Sequence, residues 1–190
     1  MSASDKIAPG HTALLLIDMQ VDFGASDGAM ARQGKDMTAA QAALAKAVAL
    51  AQAARAGGMK LVFVRLVQPR THALEDLCIE DTHGADFIGP PPEAGDMVIA
   101  KRRFSAFANT GLAEQLRARG IDTVVLAGLT TECCIQASAW AAFELDFRVI
   151  VAADACAAYE EDLHRHALRA LELSGATLAS SAELAAIWKK

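Results

Sequence analysis

The sequence predicts a three-layer α/β/α fold around a Rossmann-like, mainly parallel sheet of roughly six strands. Three features predict it. Short apolar runs alternate along the chain with longer stretches of helical composition, the order expected of βαβ units. The apolar runs lack polar alternation, as strands buried on both faces do. Glycines stand just past several of the helical stretches, where helices commonly stop.

In chain order, Ala13–Ile17 is the first predicted strand, and Met37–Ala56 is a helix ended by Gly57 and Gly58. Lys60–Leu66 and Met97–Ala100 are the second and third strands. A helix over Thr110–Arg119 ends at Gly120, followed by the strand Thr123–Ala127 and the helix Cys134–Leu145. The strand Arg148–Val151, the helix Glu161–Leu173, the strand Ala176–Ala179 and the helix Ala182–Trp188 complete the chain. Two stretches break the pattern. Gly24–Lys35 is polar and glycine-rich, and Val67–Asp96 carries Pro69, Gly84, Gly89, Pro90, Pro91, Pro92 and Gly95, with a short helix expected near Ala73–Cys78. Loops of this length in a compact domain are usually functional, and both leave from strand C-terminal ends, where they can wall a pocket.

The 190 residues are expected to form one domain with a substantial core. A hydrophobic fraction of 53% with 22% charged residues is a globular composition. The net charge of −5 argues against a nucleic-acid partner. No apolar run is long enough for a membrane span, and the N-terminus lacks the basic region of a signal peptide. The four cysteines lack the spacing of a disulfide framework, which points to a reduced, cytoplasmic protein.

Ligands of open α/β sheets sit outside the carboxyl ends of the strands. Here the first strand ends in Asp18, the third in Lys101, and the fourth runs into Gly128-Leu-Thr-Thr-Glu-Cys-Cys134. An acid, an ammonium and a thiol thus converge on one edge. A thiol must lose its proton to attack a carbonyl. A nearby lysine and a helix N-terminus favour the thiolate, an aspartate can carry the proton, and free N–H groups at the helix start can hold an oxyanion.

The segments LLLIDMQVDF (Leu14–Phe23), VIAKRRFSAF (Val98–Phe107) and GLTTECCIQASAWAA (Gly128–Ala142) resemble, in order, the three motif blocks of the isochorismatase-like cysteine hydrolases, and the likeness continues through RVIVAADACAA (Arg148–Ala158). It implies strand order 3-2-1-4-5-6, a catalytic triad of Asp18, Lys101 and a cysteine, a cis peptide between Leu129 and Thr130, and an oxyanion site made by the N–H groups of Thr130 and Cys134. The family pattern places the nucleophile just before Val or Ile, with a small Ser/Thr-Ala pair following. Cys134-Ile135 with Ser138-Ala139 fits, and Cys133 does not. Successive helical residues point about 100° apart, so one of the two cysteines is expected to face the site, with Cys133 as packing or pocket wall. Cys78 and Cys156 are read as structural.

Family members that hydrolyse nicotinamide carry an Asp-x-His metal site after the second strand, where this chain has Leu66 and Gln68. His72 and His83 lack a carboxylate at ligand spacing, so no metal and no cofactor are expected. Members that cleave the vinyl ether of isochorismate tend to lack the cysteine, so the resemblance implies hydrolysis of a C–N bond in a small amide or ureide. Phe23, Gln68, Arg103 and Thr131 are candidate substrate contacts, and a homodimer or homotetramer is expected of the family. Trp140, Phe143 and Trp188 are read as core or subunit contacts, and His164 and His166 as structural. Three other classes stay open: a non-catalytic binding or regulatory member of the fold, a redox or metal protein built on Cys133 and Cys134, and, least favoured because no strand is followed by G-x-G-x-x-G, a dinucleotide-binding protein.

Overall fold

In the first strand, successive side chains enter two different cores. Leu14 and Leu16 pack on one side of the sheet, and Ala13, Leu15 and Ile17 on the other. A strand's side chains alternate between faces, so an unbroken apolar run is what a sheet covered twice requires. The computed structural model describes residues 7–71, 77–89 and 91–189. Its strands are β1 (Thr12–Ile17), β2 (Lys60–Leu66), β3 (Met97–Lys101), β4 (Thr123–Leu129), β5 (Arg148–Ala157) and β6 (Thr177–Ala179). They form one six-stranded sheet in the order β3-β2-β1-β4-β5-β6, and every pairing is parallel. The expected three-layer architecture and strand order are therefore found, with the sheet wholly parallel.

The β1 face that holds Leu14 is covered by α1 (Val21–Gly24), α2 (Ala29–Arg32), α3 (Thr38–Ala56) and α7 (Ser181–Trp188). Here α3 buries Ala40, Ala43, Leu44, Ala47, Leu50, Ala51 and Ala54, a stripe at helical spacing. Trp188 closes this core, as read from the sequence. On the opposite face are α4 (Leu112–Arg117), α5 (Gln136–Glu144) and α6 (Glu161–Leu173), which bury Leu112, Leu116, Ala139 and Leu171.

Several boundaries differ from expectation. The stretch read as a loop over Gly24–Lys35 begins with the end of α1 and contains the short helix α2. Asp22 is the reason: it is buried, and its Oδ1 accepts the Ala29 N–H at 3.0 Å while Oδ2 accepts the Cys78 N–H at 2.7 Å. One carboxylate thus pins both long connections to the sheet. In the second connection, Leu77 and Cys78 form a bend and His83–Ala85 a 3-10 turn, while the rest of the helix expected near Ala73–Cys78 lies outside the described residues. Strand β5 runs to Ala157, six residues beyond the predicted Val151, because after a register shift opposite Leu126–Gly128 its backbone resumes pairing with Gly128 and Leu129. Alanines and Asp154 interrupt the apolar run there, and hydrogen bonding between backbones carries the strand onward. Gly128 sits at φ +124°, and a Cβ on it would lie 2.0 Å from the Ile17 carbonyl oxygen, so β1 and β4 approach here as only glycine allows.

Candidate active site

Each of the three candidate groups sits where a strand gives out. Asp18 follows β1 in a left-handed conformation, φ 52°, with its N–H donating to the Val64 carbonyl at 2.9 Å. A non-glycine residue at positive φ is uncommon, aspartate being among the more tolerant types. Lys101 is the last residue of β3, two strands away from β1 in the sheet. Two strand spacings are roughly 10 Å, and the long lysine side chain covers that gap past Leu66. After β4, the Leu129–Thr130 peptide is cis, and Thr131–Ile135 forms one π-helical turn that runs into α5. Helical structure thus begins three residues before the predicted Cys134.

The three side chains meet beneath the sheet edge. Lys101 Nζ donates to Asp18 Oδ2 at 2.7 Å, to the Arg103 carbonyl at 3.1 Å and to Cys134 Sγ at 3.3 Å. An ammonium has three donors, and all three are used. The Asp18 and Lys101 side chains have no exposed surface. Asp18 Oδ1, also buried, has no hydrogen-bond partner among the described residues. Ser138 holds the turn from the far side, donating to the Cys134 carbonyl at 2.6 Å and accepting the Ala106 N–H at 2.9 Å.

Burial sets the protonation of this cluster. It pushes the Asp18 carboxyl above its ordinary 3.8, against the opposing pull of Lys101 and Cys134. For Lys101, burial favours the neutral amine, but the Asp18 and Cys134 charges hold the ammonium above its ordinary 10.5. The Cys134 thiol stands well above 9.0, held there first by its hydrogen bond with Cys133, then by burial and by Asp18. Lys101 favours the Cys134 anion, as expected from the sequence, while the bond with Cys133, burial and Asp18 act against it.

Above the cluster opens a cavity of about 540 Å³. Thr130, Glu132, Cys133 and Cys134 line it together with apolar Phe23, Met30, Leu66, Leu77, Phe104, Tyr159 and Leu163 and with the charged Lys35, Arg102, Arg103 and Glu160. Both irregular connections contribute, as their positions at strand ends suggested. Phe23, Gln68 and Arg103 line the cavity, and Thr131 does not. Thr131 is fully buried, and its hydroxyl is bonded to His164 Nδ1 at 2.8 Å, so this candidate contact is corrected to an anchor between the π-turn and α6. Cys133, read as packing or pocket wall, is a wall residue, although only one cysteine was expected to face the site. In the π-turn Cys133 and Cys134 both line the cavity, Cys133 partly exposed and Cys134 buried.

The sequence reading missed Met30, Leu77, Glu132, Tyr159 and Leu163. Tyr159 had a detectable signal, being the aromatic residue just past the β5 motif. Its hydroxyl donates to the Phe23 carbonyl at 2.7 Å, tying the connection after β5 to that after β1. His83 lies in a different surface hollow beside Asp22 and Asp27, and His72 lies outside the described residues. Cys78 and Cys156 are buried; burial raises the Cys78 thiol, and pushes that of Cys156 up to about 12.

An open parallel sheet with a buried acid, ammonium and thiol below a pocket at its carboxyl edge defines an α/β protein built for chemistry at a cysteine-bearing turn. Residues 12–183 match the isochorismatase domain, and the chain belongs to that family. Among its relatives, the ureidoacrylate amidohydrolase RutB of Serratia proteamaculans is 29% identical over 174 residues, covering 78% of this chain and 70% of that protein. An isochorismatase-like hydrolase from Alkaliphilus metalliredigens superposes with a TM-score of 0.82 at 27% identity, over 94% of this chain and 99% of that one. The N-carbamoylsarcosine amidase of Thermoplasma acidophilum gives a TM-score of 0.75 at 29% identity, over 90% of this chain and 96% of the other.

Proposed function

We propose that the protein is a hydrolase of carbon–nitrogen bonds in a small amide or ureide, working through a thioester on Cys134. The observation that carries this reading is the contact of Lys101 Nζ with both Asp18 Oδ2 and Cys134 Sγ, at 2.7 and 3.3 Å, beneath a cavity large enough for a small substrate. The names of the relatives, an amidohydrolase and an amidase, support the same bond type.

In this reading the Cys134 thiol attacks the substrate carbonyl carbon as its proton passes to Asp18. The raised proton affinity of Asp18 suits it to that transfer, and its unpartnered Oδ1 is the oxygen free to accept. Lys101 stays an ammonium throughout and stabilises the sulfur as negative charge develops. The N–H groups of Thr130 and Cys134, at the start of the helical turn, hold the oxyanion. Collapse of the tetrahedral intermediate breaks the C–N bond, and Asp18 returns the proton to the departing ammonia or amine. A water molecule, deprotonated by Asp18, then cleaves the thioester to an acid and the free thiol. Atoms and protons balance with water as the only co-reactant, and no step in this scheme calls on a cofactor.

Phe23, Gln68 and Arg103 are the contacts proposed for the substrate on sequence grounds that also line the cavity. The reading includes a homodimer or homotetramer in the cytoplasm; exposed Phe104, Trp140 and Leu173 support association, and none of the described helices is long and apolar enough to cross a membrane.

The test is ammonia release from a panel of nicotinamide, biuret and N-carbamoyl compounds by the wild type, Cys134→Ala and Cys133→Ala. Turnover abolished in Cys134→Ala and kept in Cys133→Ala is the expected result. Turnover that survives Cys134→Ala but not Cys133→Ala assigns the chemistry to the neighbouring thiol and overturns the mechanism.

A further inference from the structure

Glu132 stands two residues before Cys134 on the π-turn and lines the cavity with Thr130, Cys133 and Cys134. Its Oε2 is buried and has no hydrogen-bond partner among the described residues. Buried polar oxygens in native proteins are nearly always paired, because leaving one unpaired costs the full desolvation of the group. The cations of the same cavity do not claim it: among the described residues no ion pair joins Glu132 to Lys35, Arg102 or Arg103, and Lys35 pairs instead with Glu160 at 3.6 Å. Lys101 has spent all three of its donors on Asp18, Arg103 and Cys134. After burial, Glu132 is the next strongest influence raising the Tyr159 hydroxyl on the wall.

An acceptor with no partner, two residues from the nucleophile on a residue that lines the cavity, is an unfilled half of a hydrogen bond. We infer that Glu132 is a specificity-determining residue that accepts an N–H of the substrate next to the reacting carbonyl, and so selects carbamoyl and ureido groups while excluding carboxylates from that position. This deepens the reading of Cys134 as the nucleophile of a C–N hydrolase and rests on it for the substrate's identity. The recognition itself is a property of the pocket. A site built to pair with an N–H discriminates strongly against a ligand lacking it, since its own buried acceptor is then stranded. A carboxylate in the same place adds repulsion between like charges.

The test uses two thiol reagents of nearly equal shape. Iodoacetamide offers an NH₂ where iodoacetate carries a second charged oxygen. Their rates of alkylation at Cys134 are followed by mass spectrometry in the intact Cys133→Ala protein, with Glu132, Glu132→Gln and Glu132→Leu, and referred to the same ratio for glutathione. The expected result is a preference for iodoacetamide at least tenfold above that of glutathione with Glu132, falling at least tenfold in both variants. An iodoacetamide-to-iodoacetate ratio unchanged within twofold in both variants, each folded by circular dichroism, overturns the inference. Ammonia release from the amide panel separates the two readings. Selective alkylation without turnover of any panel compound refutes the proposed reaction and leaves the recognition standing, while turnover without selectivity does the reverse.

Discussion

Replacing Lys101 by methionine keeps the length of the side chain and removes its charge. Three hydrogen bonds are lost together, to Asp18 at 2.7 Å, to the Arg103 carbonyl at 3.1 Å and to Cys134 at 3.3 Å. The larger effect is on Asp18, whose side chain has no exposed surface and, among the described residues, no other ion-pair partner. Removing one partner of a buried pair costs about 3–5 kcal/mol, because the remaining charge is stranded. Lys101→Met is therefore expected to lose about that amount in urea unfolding with an unchanged m-value. Adding Asp18→Asn removes the stranded charge, so the double variant is expected to be more stable than Lys101→Met alone. The pH profile gives a second reading. In the wild type the Lys101 pKa is raised above 10.5, so the folded state holds its proton more tightly than the unfolded chain. That stabilisation is complete below pH 10.5 and disappears as pH rises through the folded value, and Lys101→Met is expected to lack this alkaline loss. A cost below about 1 kcal/mol for Lys101→Met, or strict additivity with Asp18→Asn, would refute the account of a mutually dependent buried pair.

Three further outcomes follow from the same geometry. Alkylation of Cys134 by iodoacetamide is expected to accelerate with pH beyond 9.0, and Cys133→Ala to shift that profile to lower pH, since the bond with Cys133 is the first cause holding the thiol up; identical profiles would contradict this. Ser138→Ala leaves the Ala106 N–H and the Cys134 carbonyl without their shared partner, which calls for a loss of about 1–3 kcal/mol in chemical denaturation. Gly128→Ala forces a Cβ to 2.0 Å from the Ile17 carbonyl oxygen at φ +124°, a clash expected to cost more than about 4 kcal/mol and to appear as a collapse of the melting temperature.

Much of this architecture is legible in the sequence. Unbroken apolar strands separated by helices have few ways to pack, and a parallel sheet offers its ligands one edge, so reading strand ends located Asp18, Lys101 and the Cys133–Cys134 turn. Local sequence could not tell where β5 stops, because beyond Val151 small residues and Asp154 replace the large apolar ones and the strand is continued by backbone pairing to Gly128 and Leu129. The direction of Thr131 was hidden for a related reason. A π-turn rotates its side chains differently from an α-helix, and its partner His164 is thirty-three residues away. Met30, Leu77, Tyr159 and Leu163 meet in the cavity from separate connections, and such meetings are decided by the tertiary fold. Glu132 looked like an ordinary charged residue at a helix start, and only its buried, unpartnered oxygen marks it out.

The position of β3 carries a last consequence. It is an edge strand, hydrogen-bonded to β2 alone, with Val98 half exposed on its outer part. Edges are where native structures open most readily, at free energies below that of global unfolding. The ammonium is therefore mounted on an edge of the sheet, while the carboxylate and the thiol follow the central strands β1 and β4. Warming should release Lys101 from its partners before the helices melt, so that inactivation runs ahead of the loss of circular dichroism. Ligands that hold Arg103 and the cavity rim closed against β3 would then protect activity against heat more than they protect the fold.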